Sequence, residues 1–167
     1  MSNCFESSLL LAKIVDFKAF KKELGSISNE VPLSTNGKFG KSSEEKLATV
    51  HSQLASAARK ALQLSPIDFG ITEGRRSIEK QKQLVKEGAS KTLKSKHLTG
   101  HAIDIVCYVD GKITWELEYY QIVANAFALA CEELKINLRW GGSWKVNDFT
   151  LDPKNKFIDA VHFELIE

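Results

Sequence analysis

Two of the four histidines stand where an imidazole can serve as a metal ligand. His97 and Asp104 lie in Ser95-Lys-His97-Leu-Thr-Gly100-His-Ala-Ile-Asp104, with six residues between them. Gly100 allows a sharp turn, so that His97 on a loop and Asp104 on a strand can converge. His162 comes from the far end of the chain, in Asp159-Ala-Val-His162-Phe-Glu164. Strand alternation there puts Val161 and Phe163 on one face and His162 and Glu164 on the other. Two imidazoles and one carboxylate make a common catalytic zinc shell, with a fourth position left for water. In favourable sites zinc lowers the pKa of that water to ~7, which makes hydroxide available at neutral pH. Peptide hydrolysis also needs a carboxylate that takes a proton from the water and returns it to the leaving amine. Asp159, three residues before His162, is the natural candidate. Asp104 within an apolar stretch fits the same picture, because a buried carboxylate requires a strong partner.

These residues need rigid elements to hold them. Residues 102–108 are apolar and β-branched, and Asp110-Gly111 is a two-residue hairpin turn returning through Lys112–Thr114. Ile67, Phe69 and Ile71 alternate as another strand, Leu138–Trp140 reads as a third, and residues 161–166 as the last. Ser42-Ser43-Glu44-Glu45 reads as a capping box opening one helix, with Leu47, Val50, Leu54, Ala57, Ala58 and Ala61 on one face, that runs until Pro66. Further helices are expected from Ser77 to about Glu87 and over Leu117–Leu134, the latter burying Ile122, Phe127, Leu129 and Leu134. The predicted class is α+β, a small, mainly antiparallel sheet flanked by helices with the zinc site on the sheet. Residues 5–24 carry Leu10, Ile14, Phe17, Phe20 and Leu24 at helical spacing, and residues 25–37 read as a linker. The expected organisation is an appended helix and linker over 1–37 and a main domain over 38–167.

Composition narrows the classes further. The chain of 167 residues carries a net charge of +2, which gives no argument for nucleic acid as a partner. Cys4, Cys107 and Cys131 form no CxxC pair, so neither a thiolate metal site nor a disulfide framework is expected, and Cys107 and Cys131 read as buried small hydrophobes. The first residues lack a basic segment and a cleavage site, and no apolar run is long enough to span a membrane. The expectation is a soluble chain made and kept in the cytoplasm, with no membrane insertion.

The pattern S-x-H-x-x-G-x-A-x-D, then W-G-G-x-W, then D-x-x-H-F-E resembles the zinc D,D- and L,D-peptidases that include D-alanyl-D-alanine carboxypeptidases and dipeptidases. The likeness is closest to phage endolysins of the L-alanyl-D-glutamate peptidase type, through FGKSSEEKLATV, LSPIDFGITEGRRS, SKHLTGHAID, DGKITW and LRWGGSW, and covers residues 38–167. It implies one zinc ion held by His97, Asp104 and His162, with Asp159 as catalytic acid/base. It also implies an arginine near the substrate, Arg76 in Gly74-Arg75-Arg76-Ser77, whose fork can hold a carboxylate or a developing oxyanion. Ser95 matches a substrate hydrogen-bond donor, and one of Trp140 and Trp144 becomes a cleft wall, with Trp140 taken as the substrate contact.

The implied partner is the peptidoglycan stem peptide, cut between L-alanine and D-glutamate by a monomeric lysin of the host cytoplasm that reaches the wall through a separate pore. Two alternatives stay open: a D-alanyl-D-alanine carboxypeptidase or dipeptidase, and a zinc-containing binding domain that has lost catalysis. Against the second stands Asp159, since a binding domain needs no proton shuttle. The remaining features have plainer readings. His51 is a solvated or interfacial side chain, and His101 faces solvent unless it supports the metal shell. Lys80, Lys82, Lys86, Lys91, Lys94 and Lys96 form a solvated face that could also attract an anionic polymer. Asp148-Phe-Thr150-Leu-Asp152 opens like a calcium loop, but Pro153 stands where that loop needs glycine.

Overall fold

The computed structural model describes residues 37–167; the helix and linker expected before them lie outside the described residues. The elements run α1 (Lys41–Leu47), α2 (Ser52–Leu64), β1 (Asp68–Glu73), α3 (Ile78–Lys86), a 3₁₀ turn (Lys96–Thr99), β2 (Ala102–Val109), β3 (Lys112–Thr114), α4 (Leu117–Leu134), β4 (Leu138–Trp140) and β5 (His162–Leu165). The strands form one antiparallel sheet in the order β1-β2-β5-β4, with β3 also on β2. The fold is α+β, as expected from helices flanking a small antiparallel sheet.

Strand β2 organises the sheet. It carries β1 along one edge, while β5 and β3 share the other. Phe69, Ile71, Ile103, Ile105, Cys107, Phe163, Leu138 and Trp140 all lie on one face and are buried in a single core with α2 and α4. Phe163 stacks on Phe127 of α4 with ring centroids 4.1 Å apart. The period of two that buries these residues sends Asp104, His162, Glu164 and Arg139 to the opposite face. Packing one face therefore gathers the polar residues on the other.

Several elements differ from their sequence reading. The helix expected from Ser42 to Pro66 is broken at residues 48–51. There the His51 N–H donates to the Gly100 carbonyl (2.8 Å), and the Thr49 hydroxyl accepts from the Arg75 N–H (3.0 Å). The chain leaves the helix to fasten the segments carrying His97 and Arg76. The expected capping box does not form, because the helix is capped two residues earlier, by Gly40, and begins at Lys41. Ser43 instead accepts a hydrogen bond from the Ile71 N–H (3.0 Å). In α4 Ile122 and Phe127 are buried, whereas Leu134 at the helix end is exposed. The hairpin turn forms at Asp110 and Gly111, both with positive φ (51° and 72°), as a type I′ turn requires.

Gly141 shows how tightly the loop after β4 is bound. Its N–H donates to the His162 carbonyl and its own carbonyl accepts from the Asp159 N–H, both at 2.9 Å. A Cβ built there would collide with the Asp159 carbonyl oxygen. Gly141→Ala is expected to lower the unfolding free energy by about 1–3 kcal/mol in urea titrations. Gly40→Ala, at a position with nothing within 4 Å, should change it by less than about 1 kcal/mol. Equal stability of the two variants would show that the Asp159 loop is not clamped as described.

Candidate metal centre and cleft

Register alone sets Asp104 beside His162, its direct partner across β2 and β5. On the other edge a β-bulge between Ile71 and Glu73 brings Glu73 opposite Asp104. Without that extra residue Glu73 would point into the core; the bulge turns it onto the polar face. His97 arrives from the 3₁₀ turn, which ends at Gly100 with φ 73°, a left-handed conformation that suits glycine. The Ser95 hydroxyl caps that turn by accepting from the His97 N–H (3.3 Å).

The protonation of each imidazole follows from its outer partner. His97 Nδ1 lies 2.8 Å from the Gly74 carbonyl oxygen, which can only accept, so this nitrogen carries the proton. His162 Nε2 lies 3.0 Å from the Glu164 carboxylate and carries its proton for the same reason. In neutral rings, His97 Nε2 and His162 Nδ1 are then lone-pair donors, and both face Asp104 Oδ1, at 3.2 and 3.1 Å. Three lone pairs turned on one another repel unless a cation or a proton lies among them. Two ligands bound to zinc at about 2.0–2.1 Å in tetrahedral geometry stand about 3.3 Å apart, so the donor spacings suit such an ion. Histidines whose far nitrogens are fixed by a carbonyl and a carboxylate are the usual supports of metal ligands.

The charges around the site agree with this geometry. Burial would raise the Asp104 carboxyl, but its contacts with His162 and His97 outweigh burial and hold it far below the usual carboxylate range. Burial would lower His162, but the Asp104 and Glu164 carboxylates override it and raise its pKa to about 9. Burial pushes the Asp159 carboxyl up. Its carboxylate lines the cleft and accepts no hydrogen bond among the described residues. Glu164 is kept ionised, against its burial, by His162 and by Arg139, whose Nε donates at 2.7 Å.

Arg76 is the inward arginine. Its side chain is 8% exposed and pairs with Glu73, with Gln81 (2.7 Å) and with Asp104 Oδ2 (3.5 Å). Its Nε is buried without a partner among the described residues. Arg75 points away and donates to the Leu98 carbonyl (3.3 Å). A cleft of about 590 Å³ runs over these groups, lined also by Ser95, Lys91, Trp144 and Phe157. Trp140 requires a correction. It is 0% exposed, packs on Phe163 and donates its indole N–H to the Ala160 carbonyl (2.8 Å), so it is a core residue and cannot touch substrate. The cleft wall is Trp144, whose ring lies 5.6 Å from that of His162.

Glu73, Gln81, Arg139 and the Gly74 carbonyl were not legible as site residues. Only the strand register, with Arg139 opposite Glu164, could have pointed to one of them. A second cluster, His51, His101 and Glu167, also converges. There His51 Nδ1 accepts the Gln53 N–H (3.3 Å), which leaves the proton of the neutral ring on the nitrogen a metal would need. His101 is thus apart from the buried shell. Asp148 and Asp152 accept from the Thr150 and Lys154 N–H groups and face Lys145, so no calcium loop forms.

Comparison with known proteins gives a consistent picture. The family profile for phage L-alanyl-D-glutamate peptidases matches residues 35–166. The L-alanyl-D-glutamate peptidase of Escherichia phage T5 is 44% identical over 134 residues, 77% of this chain and 98% of that protein. The peptidoglycan L-alanyl-D-glutamate endopeptidase CwlK of Bacillus subtilis is 33% identical over 127 residues, 68% of this chain and 70% of that one. The crystal structure of the Serratia marcescens L-Ala D-Glu endopeptidase ChiX superposes with a TM-score of 0.67 at 40% identity, covering 77% of this chain and 89% of that one.

A metal entering this centre must displace the proton that His162 otherwise holds up to about pH 9. In calorimetric titrations between about pH 6 and 8 the apparent zinc affinity is expected to rise about tenfold per pH unit. Affinity independent of pH would exclude His162 as the group that gives up a proton.

Proposed function

The chain belongs to the phage L-alanyl-D-glutamate peptidase family, and on that premise we propose that it is a zinc-dependent peptidoglycan endopeptidase, an endolysin that hydrolyses the L-alanyl-D-glutamate bond of the stem peptide. The observation that carries the zinc is the convergence of three lone-pair donors, His97 Nε2, His162 Nδ1 and Asp104 Oδ1, whose other atoms are already engaged by Gly74, Glu164 and Arg76. A zinc ion held by these three residues would supply Lewis acidity toward the scissile carbonyl and would acidify water.

The remaining steps belong to the chain's own residues. The Asp159 carboxylate accepts no hydrogen bond among the described residues, and burial raises its proton affinity. Both properties suit a carboxylate that takes a proton from the attacking water and delivers it to the amine of the departing D-glutamate. Arg76 keeps Glu73 and Asp104 in place and adds positive charge where negative charge develops on the carbonyl oxygen. Trp144 and Phe157 provide a flat wall against which the peptide lies. Ser95 lines the cleft beside them, its hydroxyl shared with the His97 turn. We assign catalysis to residues 38–167. No helix among the described residues is long and apolar enough to cross a membrane. As a lysin, the protein acts as a monomer and reaches the wall through a separate pore.

Binding and chemistry separate in two variants. Asp159→Asn is expected to keep one zinc per chain and lose about 10²–10⁴-fold in turnover of purified cell wall. His162→Ala should lose most of the zinc. Near wild-type hydrolysis by Asp159→Asn, or full zinc occupancy in His162→Ala, would overturn the assigned roles. The mass of the released fragments shows whether the cut falls between alanine and glutamate or at the terminal D-alanine.

A further inference from the structure

The cleft has a surplus of positive charge on one wall. Of its four acidic residues, Glu73 is paired with Arg76 and Lys80, Asp104 with the two histidines, and Glu164 with Arg139 and His162, which leaves Asp159 alone without an ion-pair partner among the described residues. Lys91 and Lys94 line the same cleft and have no carboxylate partner among the described residues. Lys91 is nevertheless held in place. Its ammonium sits 4.4 Å from the centre of the Phe157 ring, a cation–π contact joining the loop before the 3₁₀ turn to the loop before β5.

The rings beneath it lead back to the metal centre. Phe157 stacks on Trp144 at 5.6 Å and 17°, the Trp144 indole N–H donates to the Phe157 carbonyl (2.8 Å), and Trp144 lies 5.6 Å from His162. These steps carry the Lys91 ammonium no more than about 16 Å from His162, the span of four or five extended residues. A peptide whose scissile bond lies at His162 and that runs along these rings brings residues within four or five of the cut alongside this aromatic and cationic wall.

We propose that Lys91, with Lys94 beside it, is a carboxylate-binding subsite that selects stem peptides by the free carboxylates flanking the cut. This rests on the peptidase reading above and names what its cleft recognises. The chemistry is an ammonium pre-positioned on an aromatic face, lacking a counter-ion among the described residues, beside a substrate that is itself anionic. Two carboxylates of the stem peptide meet that description: the α-carboxylate of D-glutamate, left free by its γ-linkage, and the side-chain carboxylate of a diaminopimelate third residue. Lysine in the third position carries no such group.

Four synthetic peptides, L-alanyl-γ-D-glutamyl-X-D-alanine, separate the sources. The glutamate is free or α-amidated, and X is diaminopimelate or lysine. The zinc-loaded full chain is expected to lose about three- to tenfold in kcat/KM when the recognised carboxylate is removed, and the arm that shows the loss identifies it. Lys91→Ala/Lys94→Ala should fall toward the lower rate on every peptide and lose the discrimination, while Lys91→Arg restores it. Lys86→Ala, on the exposed side of α3, should retain the wild-type ranking. Binding of the same peptides to Asp159→Asn by calorimetry should show the same ranking without turnover. Equal rates on all four peptides, or wild-type ranking in the double variant, would overturn the subsite. Cleavage of none of the four by the wild-type chain would instead overturn the peptidase reading, and this subsite with it.

Discussion

Three lone pairs, from His97, Asp104 and His162, point at one another across little more than 3 Å on the polar face of the sheet. Without a cation or a proton among them they repel, and burial removes the water that would soften the repulsion. Most polar contacts nearby make sense as ways of keeping them there. The Gly74 carbonyl and Glu164 take the outward protons of the rings, Arg139 holds Glu164, and Arg76 holds the second oxygen of Asp104. The result is a shell whose donors are aimed before any ion arrives, so binding energy is not spent on orienting them.

The core supplies the rigidity. Ile103 and Ile105 flank Asp104 on β2, and Phe163 follows His162 on β5; all three are buried. Because a slip of one residue would exchange the two faces of the sheet, hydrophobic burial fixes the metal shell as firmly as it fixes the core. Gly141 extends the same control to Asp159, the one cleft carboxylate without an ion-pair partner among the described residues. The proposed acid/base thus sits on a loop clamped to β4, apart from the three donors but lining the same cleft.

Much of this was legible in the sequence for physical reasons. The period of two around His162 and the apolar run of β2 state which face each residue takes, and Gly100 announces the turn that returns His97 to the strand. What stayed hidden depended on irregularity or on contacts distant in sequence. The bulge that brings Glu73 beside Asp104 breaks the alternation by which faces are read. The break at His51 is imposed by Gly100, about fifty residues away, and overrides a continuous helical pattern. Trp140 and Trp144 look alike in the W-G-G-x-W motif. Their roles separate only because Trp140 continues the strand into the core while Trp144, past the two glycines and at φ 58°, turns toward the cleft.

The central claim is that two imidazoles and one carboxylate form an open zinc shell, and X-ray absorption at the zinc edge of the metal-loaded full chain tests it most directly. The account predicts about four nitrogen or oxygen neighbours at about 2.0–2.2 Å, with outer-shell scattering from two imidazole rings. A sulfur neighbour at about 2.3 Å, or a shell showing no imidazole, would contradict it.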